Sequence, residues 1–331
     1  MEKDGMKVAF VGKGGSGKTT LSALFSRYLA AHALPVVAFD ADINQHLGEA
    51  LGMSEEEAAQ MPPLGLNLER IKDYLRGSNP YIRSTALMAK TTPPGQGSRL
   101  WHVRENNPLL AHFARDVQGV TLLATGPFSE DDLGLKCYHS KVGAVELLLN
   151  HCIDDPDEYV IVDMTAGADS FASGLFTRFD MTFLVVEPTR KSLGVYHQYK
   201  GYTRDYDVSL KVIGNKIEQE DDLHFLQDQL GDALLTSFSR SDYIRALEKG
   251  NIQPITQLEP HNTSALADMR QQVMRCEQNW ERFYQQAVVF HRKNAFSWLN
   301  SSLGEDVSTQ IDPDFSLATV VQQHRHQLVN K

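Results

Sequence analysis

A glycine-rich turn between a short apolar run and a helical stretch constrains this chain more than any other feature. The run Lys7–Val11 predicts a buried strand, and Lys18–Ala31 predicts a helix. The turn between them matches G-x-x-x-x-G-K-[ST] from Gly12 to Thr19. Glycines allow backbone N–H groups to turn inward, and a helix N-terminus adds a positive dipole. The turn therefore predicts a cradle for polyphosphate.

Individual residues of this loop have predictable roles. The Lys18 ammonium would reach the β- and γ-phosphates, and the Thr19 hydroxyl would ligate Mg²⁺. The residues expected to contact the nucleotide here are Gly12, Gly14, Gly15, Ser16, Gly17, Lys18, Thr19 and Thr20.

Two further strands end in carboxylates. The predicted strand Pro35–Asp42 closes with Asp40 and Asp42, and the predicted strand Tyr159–Asp163 is followed by Gly167 in a D-x-x-x-G pattern. Carboxylates at this edge of a parallel sheet lie beside the phosphate site. Asp163 would hold Mg²⁺ through water, and the Gly167 amide would sense the γ-phosphate. Strand-end aspartates also cap following helices, which remains an alternative for Asp40 and Asp42.

Lys13 extends the loop to K-G-G-S-G-K-T. This resembles the deviant phosphate-binding loop of the SIMIBI class of ATPases, which includes the MinD/ParA proteins, the nitrogenase iron protein and the CooC-type nickel-insertion proteins. The resemblance covers roughly residues 6–250 and implies an α/β fold with a mostly parallel sheet flanked by helices on both faces. It also implies that Lys13 crosses a nucleotide-bridged homodimer; a solvent-exposed lysine is the alternative.

The resemblance also assigns roles at the other strand ends. Asp42 matches the residue that orients the attacking water, and Asp40 would support the Mg²⁺ shell. Asn215 would bind adenine next to Lys216, and a loop at Pro188 would close over the base. The run N-K-I-E also resembles the N-K-x-D guanine signature of GTPases, but ATP is favoured because the phosphate-binding loop and the D-x-D pattern resemble those of ATPases. Asn215 as a simple turn residue is the alternative.

Composition narrows the class of protein. The net charge of −10 and the pI near 5.6 argue against a broad nucleic-acid-binding face. Three cysteines fit a reducing compartment. The sequence shows neither a signal peptide nor a membrane-length apolar stretch, so we expect a cytoplasmic protein without a membrane segment.

Two regions lie outside the common plan of the class. We predict an ATPase domain over residues 1–255 that carries a helical insertion at about 53–118, and a C-terminal helical extension over 256–331. Within the insertion, Lys90–Arg99 is rich in proline and glycine and predicts a mobile loop, a clamp or a plain surface loop. Pro108–Val117 predicts a helix, and Ser264–Val289 predicts one long helix.

Within the class, the runs D-A-D-I-N-Q-H-L-G, V-D-M-T-A-G and V-V-E-P-T-R-K-S resemble the CooC-type group most. That group has a metal-binding C-x-C where this chain has Cys137-Tyr138-His139. Cys137 and His139 are therefore candidate Zn²⁺ or Ni²⁺ ligands at a dimer interface; a packed cysteine and a capping histidine are the alternative.

Three outputs remain open at this stage. The first is an ATPase that matures a metalloenzyme client by delivering metal. The second is a MinD/ParA-like positioning or regulatory ATPase that acts on a protein partner without metal. The third is a reductase-type electron donor, which the shortage of suitably placed cysteines disfavours.

Overall fold

A computed structural model describes residues 5–42, 44–127, 138–167, 171 and 174–329. In chain order the strands are β1 (Met6–Gly12), β2 (Val36–Ala41), β3 (Trp101–His102), β4 (Arg115–Val117), β5 (Val120–Ala124), β6 (Cys152–Ile153), β7 (Tyr159–Met164), β8 (Met181–Val186), β9 (Leu210–Ile217) and β10 (Leu234–Ser239).

The helices are α1 (Lys18–Ala31), α2 (Leu47–Leu51), α3 (Glu55–Ala59), α4 (Leu68–Arg76), α5 (Pro108–Phe113), α6 (Tyr138–Asn150), α7 (Arg190–Thr203), α8 (Glu220–Leu230), α9 (Asp242–Leu247), α10 (Pro260–Val273), α11 (Trp280–Asn294), α12 (Asn300–Leu303) and α13 (Leu317–Val329). A π-helical turn, Ala295–Leu299, joins α11 to α12.

Eight of the described strands form one sheet in the order β10-β9-β8-β1-β7-β2-β5-β4. All neighbours pair in parallel except β4, which runs antiparallel to β5. The second sheet pairs only β3 with β6. The expected mostly parallel α/β fold is confirmed.

Alternate residues of the central strand β1 enter two different apolar cores. Val8 and Phe10 pack with residues of α1 and α10 on one face, whereas Ala9 and Val11 pack with residues of α6 and α7 on the other. A strand covered on both faces must be apolar at nearly every position, which explains its continuous hydrophobic run. The parallel arrangement brings the loops after β1, β2, β7, β8 and β9 to the same edge of the sheet.

Two expectations about local structure are wrong. The predicted helix Pro108–Val117 ends at Phe113, because residues 115–117 pair with β5 through a turn at Gln118 and Gly119, both with positive φ. The predicted helix Ser264–Val289 is two helices, since the side chain of Asn279 accepts a hydrogen bond from the Arg282 N–H and starts α11 anew.

The segment Lys90–Arg99 is also not a plain surface loop. Residues 91–95 are buried, and the Thr92 hydroxyl donates to Gln310 Oε1 at 2.8 Å. The Gln96 N–H donates to Asp312 Oδ2 at 2.9 Å. The proline and glycine content that predicted exposure instead allows a compact turn beneath the C-terminal helices.

The C-terminal helices pack in two places. Helix α10 places Leu266 and Met269 in the same apolar cluster as Val8 of β1, so its packing is continuous with the main sheet. Helices α11 and α13 share a separate cluster with Ile153 of β6. The boundary at residue 255 stays a prediction. None of the helices in the described ranges is long and apolar enough to cross a membrane.

Candidate nucleotide-binding site

The loop between β1 and α1 requires glycine for steric reasons. A Cβ on Gly12 would lie 2.7 Å from the carbonyl oxygen of Val185, and one on Gly17 would lie 2.2 Å from Asn215 Nδ2. Gly15 and Gly17 also have φ of 80° and 93°, a region in which other residues are strained. The loop is therefore pressed against β8 and β9 while its outer side stays open.

Lys18 and Thr19 begin α1 and meet the carboxylates of two neighbouring strand ends. The Lys18 ammonium forms a buried ion pair with Asp42 and lies 4.0 Å from Asp163 Oδ1. The Thr19 hydroxyl donates to Asp163 Oδ2 at 2.6 Å. Residues predicted from three separate motifs thus lie together at one point of the sheet edge.

Burial and mutual charge shift the pKa values of this cluster. Burial alone would lower the pKa of Lys18, but Asp163 and Asp42 outweigh it and raise that pKa. Burial raises the pKa of Asp163 to about 6, with Lys18 opposing the shift. Burial, and next the charge of Asp163, raise the pKa of Asp40 to about 8. The cluster therefore favours an added cation.

The donor set at Asp163 fits Mg²⁺. Asp163 Oδ1 is buried and, within the described ranges, accepts no hydrogen bond. A carboxylate and a hydroxyl are the hard oxygen ligands that Mg²⁺ prefers. Thr19 and Asp163 could hold the ion directly or through water.

The Asp40 carboxylate bonds to the backbone of the segment that follows it. Its Oδ2 accepts from the Leu47 N–H at 2.8 Å, at the start of α2. Gln45, whose φ is 53°, ties the same segment to β5 by donating to the Thr125 hydroxyl at 2.8 Å and accepting from the Gly126 N–H at 3.0 Å. These contacts are those of the helix-capping alternative; a supporting role of Asp40 toward Mg²⁺ stays a prediction.

The end of β9 supports the loop from beneath. The Asn215 amide donates to the carbonyl oxygen of Ser16 at 2.8 Å, and Asn215 is buried. Lys216, with φ of 61°, donates to the carbonyl oxygen of Gly15 at 2.6 Å and pairs with Glu187 at 2.6 Å. In this structure the Asn215 amide therefore contacts the phosphate-binding loop. Adenine recognition by Asn215 stays a prediction.

A cavity of about 590 Å³ opens above the loop. Its lining includes Thr20 together with residues to which the sequence patterns assigned no individual role: Asn44, His46, Glu49, Met53, Ser54, Glu55, Leu247 and Glu248. Leu247 ends α9 and Glu248 follows it, far along the chain from the phosphate-binding loop, and no local motif marks either residue. The volume suits a small polar ligand rather than a polymer.

Two of the other predicted contacts, Pro188 and Gly167, are described but are not among the residues that line this cavity. Pro188 follows β8, and Gly167 has φ of 72° and accepts from the Tyr199 hydroxyl at 3.3 Å. Cys137 lies outside the described residues, as does the side chain of His139. The candidate Zn²⁺ or Ni²⁺ pair therefore stays a prediction.

Lys13 is placed differently from Lys18. Its carbonyl oxygen accepts from the Ser16 N–H at 3.0 Å, and the residue is half-buried. In the part of the chain that the structure describes, its ammonium has no acidic partner within its own subunit.

The chain is similar in sequence to known proteins. The chain is 27% identical over 227 residues to the carbon monoxide dehydrogenase accessory protein CooC of Rhodospirillum rubrum, covering 68% of this chain and 79% of that protein. It is 30% identical over 218 residues to an uncharacterized ATP-binding protein of Methanocaldococcus jannaschii, covering 65% and 77%.

Solved structures agree on the fold. The cell division ATPase MinD of Pyrococcus furiosus superposes with a TM-score of 0.52 at 16% identity, covering 82% of this chain and all of that chain (100%). A ParA family ATPase of Chlorobium tepidum superposes with a TM-score of 0.52 at 14% identity, covering 81% and 97%. The family model described as "CobQ/CobB/MinD/ParA nucleotide binding domain" matches residues 8–251. The chain therefore belongs to the CobQ/CobB/MinD/ParA family of nucleotide-binding domains.

Proposed function

We propose that this protein binds ATP with Mg²⁺ and hydrolyses it to ADP and phosphate. The observation that carries the proposal is the meeting of Lys18, Thr19, Asp42 and Asp163 beneath a 590 Å³ cavity. The similarity to an ATP-binding protein of Methanocaldococcus jannaschii supports ATP as the nucleotide.

Phosphoryl transfer to water needs charge neutralisation and an aligned nucleophile rather than covalent chemistry. Lys18 and the loop amides would neutralise the phosphate oxygens. Thr19 and Asp163 would hold Mg²⁺, which supplies further positive charge when bound. Asp42 would leave Lys18 when phosphate arrives and accept a hydrogen bond from the attacking water.

Lys13 supports a dimeric mechanism. Its ammonium has no acidic partner among the described residues of its own chain, so it is available to a nucleotide held by a second copy. A cation supplied across an interface would act as an arginine finger does. ATP would then bridge a homodimer, and hydrolysis would release it.

The output we propose is maturation of a metalloenzyme, with metal delivered to a protein client. The similarity to a carbon monoxide dehydrogenase accessory protein supports it. A MinD/ParA-like positioning or regulatory role without metal is the alternative. Retention of Zn²⁺ or Ni²⁺ by purified protein, with loss on Cys137→Ala, would favour maturation through the predicted Cys137 site.

Release of phosphate from ATP tests the proposal directly. We expect Mg²⁺-dependent hydrolysis that Lys18→Ala abolishes, since the main phosphate-binding cation is lost. Lys211→Ala is a matched control, because Lys211 lies at the opposite end of the sheet and donates to the Asp232 carbonyl oxygen. Equal rates for Lys18→Ala and Lys211→Ala would refute the proposal.

A further inference from the structure

Two histidines and an aspartate from three distant segments meet on the side of the protein opposite the nucleotide site. His324 Nε2 lies 3.0 Å from Asp155 Oδ2, and His102 Nδ1 lies 3.4 Å from the same oxygen. The two imidazole rings stack with centroids 3.9 Å apart. One ligand atom from each residue lies within 4.8 Å of the other two.

The fold positions each side chain independently. His102 of β3 pairs in register with Ile153 of β6, and Asp155 follows two residues later. In α13, Leu317 and Val321 pack in the same apolar cluster as Ile153, and His324 lies on that helix face one turn further on. Packing of α13 on β6 therefore carries His324 to Asp155.

The Asp155 carboxylate is only partly satisfied by its contacts. Among the described residues its Oδ2 meets only the two histidines, and its buried Oδ1 accepts no hydrogen bond. His102 Nδ1 is likewise buried without a satisfactory hydrogen bond. The adjacent Asp154, by contrast, pairs with Lys7 and accepts from Gln278 at 2.6 Å.

The backbone around Asp155 is held rigidly. The Asp155 N–H donates to Glu158 Oε2 at 2.8 Å, and the Glu158 N–H donates back to the Asp155 carbonyl oxygen at 3.0 Å. Such outer contacts orient a ligand for a metal ion. The imidazoles are partly open to solvent, with 16% of the His102 side chain and 26% of the His324 side chain exposed, which leaves a path for an ion.

We propose that His102, Asp155 and His324 form a binding site for a divalent transition-metal ion such as Zn²⁺ or Ni²⁺. Two imidazoles and one carboxylate are a ligand set for such ions, and further positions stay open to water. Ligand atoms on one tetrahedral metal lie about 3.4 Å apart, and the distances of 3.4 and 3.0 Å from the two histidines to Asp155 Oδ2 are close to that value. The stacked imidazoles would have to rotate so that a nitrogen of each ring faces the ion. The proposal does not rest on ATP hydrolysis.

This site is separate from the predicted Mg²⁺ position. Asp155 precedes β7, whereas Asp163 lies near the opposite end of that strand. Six strand residues span about 20 Å. Metal bound at the three-residue site would instead fasten α13 and the insertion strand β3 to the core.

Zinc binding by the full chain tests the proposal. The parent protein carries Cys137→Ala, which removes the cysteine of the other predicted transition-metal pair, Cys137 and His139. It is stripped with chelator before calorimetric titration with Zn²⁺. We expect about one Zn²⁺ per chain. We expect affinity to fall more than about tenfold in His324→Gln and in Asp155→Asn, because each removes a metal ligand. His326→Gln is the matched control, since His326 lies exposed on the same helix and should leave binding unchanged.

A second measurement guards against variants that fail to fold. Zn²⁺ should raise the melting temperature of the parent and of His326→Gln but not of His324→Gln, because only an ion that binds the folded state stabilises it. In chelator, the parent and its variants should have the same circular dichroism spectrum. They should also bind nucleotide with the same affinity. Absence of Zn²⁺ binding by the parent, or unchanged binding by His324→Gln, would overturn the proposal without affecting the proposed ATPase.

Discussion

Lys18 forms a buried ion pair with Asp42 at the edge of the sheet, and the two side chains lie 9% and 6% exposed. One partner is the predicted phosphate-binding cation and the other is the predicted water-positioning carboxylate. In the proposed mechanism the pair would couple phosphate binding to release of Asp42, because Lys18 cannot fully serve both anions at once.

This coupling predicts opposite effects of Asp42→Ala on binding and on hydrolysis. Removing the carboxylate frees Lys18 and removes repulsion of the γ-phosphate, so ATP affinity should rise about tenfold, equivalent to about 1.4 kcal/mol. Hydrolysis should fall at least about 100-fold, since water loses its acceptor. Fluorescent-nucleotide titration and phosphate release measure the two quantities. Normal hydrolysis by Asp42→Ala would contradict the assigned role.

Asp163→Asn should uncouple nucleotide binding from Mg²⁺. The amide retains an acceptor for the Thr19 hydroxyl but loses the charge that attracts the cation. In EDTA, which removes Mg²⁺, we expect the variant to bind ATP with nearly the affinity of the unsubstituted protein. When Mg²⁺ is added, ATP affinity should increase less in the variant than in the unsubstituted protein. A gain of the same size in both proteins would show that Asp163 does not support the ion.

Lys13→Ala should affect hydrolysis through the dimer. If the lysine acts across an interface, the variant should bind ATP with nearly unchanged affinity but hydrolyse it at least about 100-fold more slowly, by analogy with loss of an arginine finger. Sedimentation with ATP would show whether an Asp42→Ala dimer weakens when Lys13→Ala is added. Lys211→Ala again serves as the control, and a Lys13→Ala enzyme with the rate of that control would exclude a role in catalysis.

The raised pKa of Asp40 predicts a pH dependence of stability. Its folded-state pKa of about 8 exceeds the unfolded value near 4, so the folded state binds the extra proton between these values. The stabilisation of the folded state by this bound proton is fully present below pH about 4 and is lost as the pH rises toward about 8. Without nucleotide or metal, Asp40→Asn should therefore lose less stability than the unsubstituted protein between about pH 6 and about pH 8.

Urea unfolding at several pH values in chelator measures this slope. Absolute stability of Asp40→Asn is not the readout, because the amide also changes the bonds to the Leu47 N–H. Parallel slopes for the two proteins would mean that Asp40 is not protonated in the folded state.

Substitution of His291 should show how much the contact between the insertion and the C-terminal helices contributes to stability. The residue is fully buried, with Nδ1 3.0 Å from the Thr91 hydroxyl and Nε2 2.9 Å from the Val307 carbonyl oxygen. His291→Leu removes both of these buried hydrogen bonds, so we expect a loss of about 2–4 kcal/mol in the free energy of unfolding. The exposed His326→Ala control should cost less than about 0.5 kcal/mol.

Local sequence determined the nucleotide-site framework. Gly12, Lys18, Thr19, Asp42 and Asp163 are each marked by a short motif beside an apolar strand, and parallel pairing brings strand ends together by rule. The existence of the main strands and their order along the chain were therefore predictable. The roles of the site residues stay predictions that the proposed variants test.

Only the tertiary structure decided what depends on contacts between distant segments. Burial of residues 91–95, the cavity wall from Leu247 and Glu248, and the meeting of His102 with His324 arise from packing between regions that no local pattern relates. Hydrophobic periodicity reports which face of a helix is buried but not which partner covers it. The sequence alone predicted where phosphate would bind. The packing of α11 and α13 determined which polar residues are enclosed at the other end of the protein.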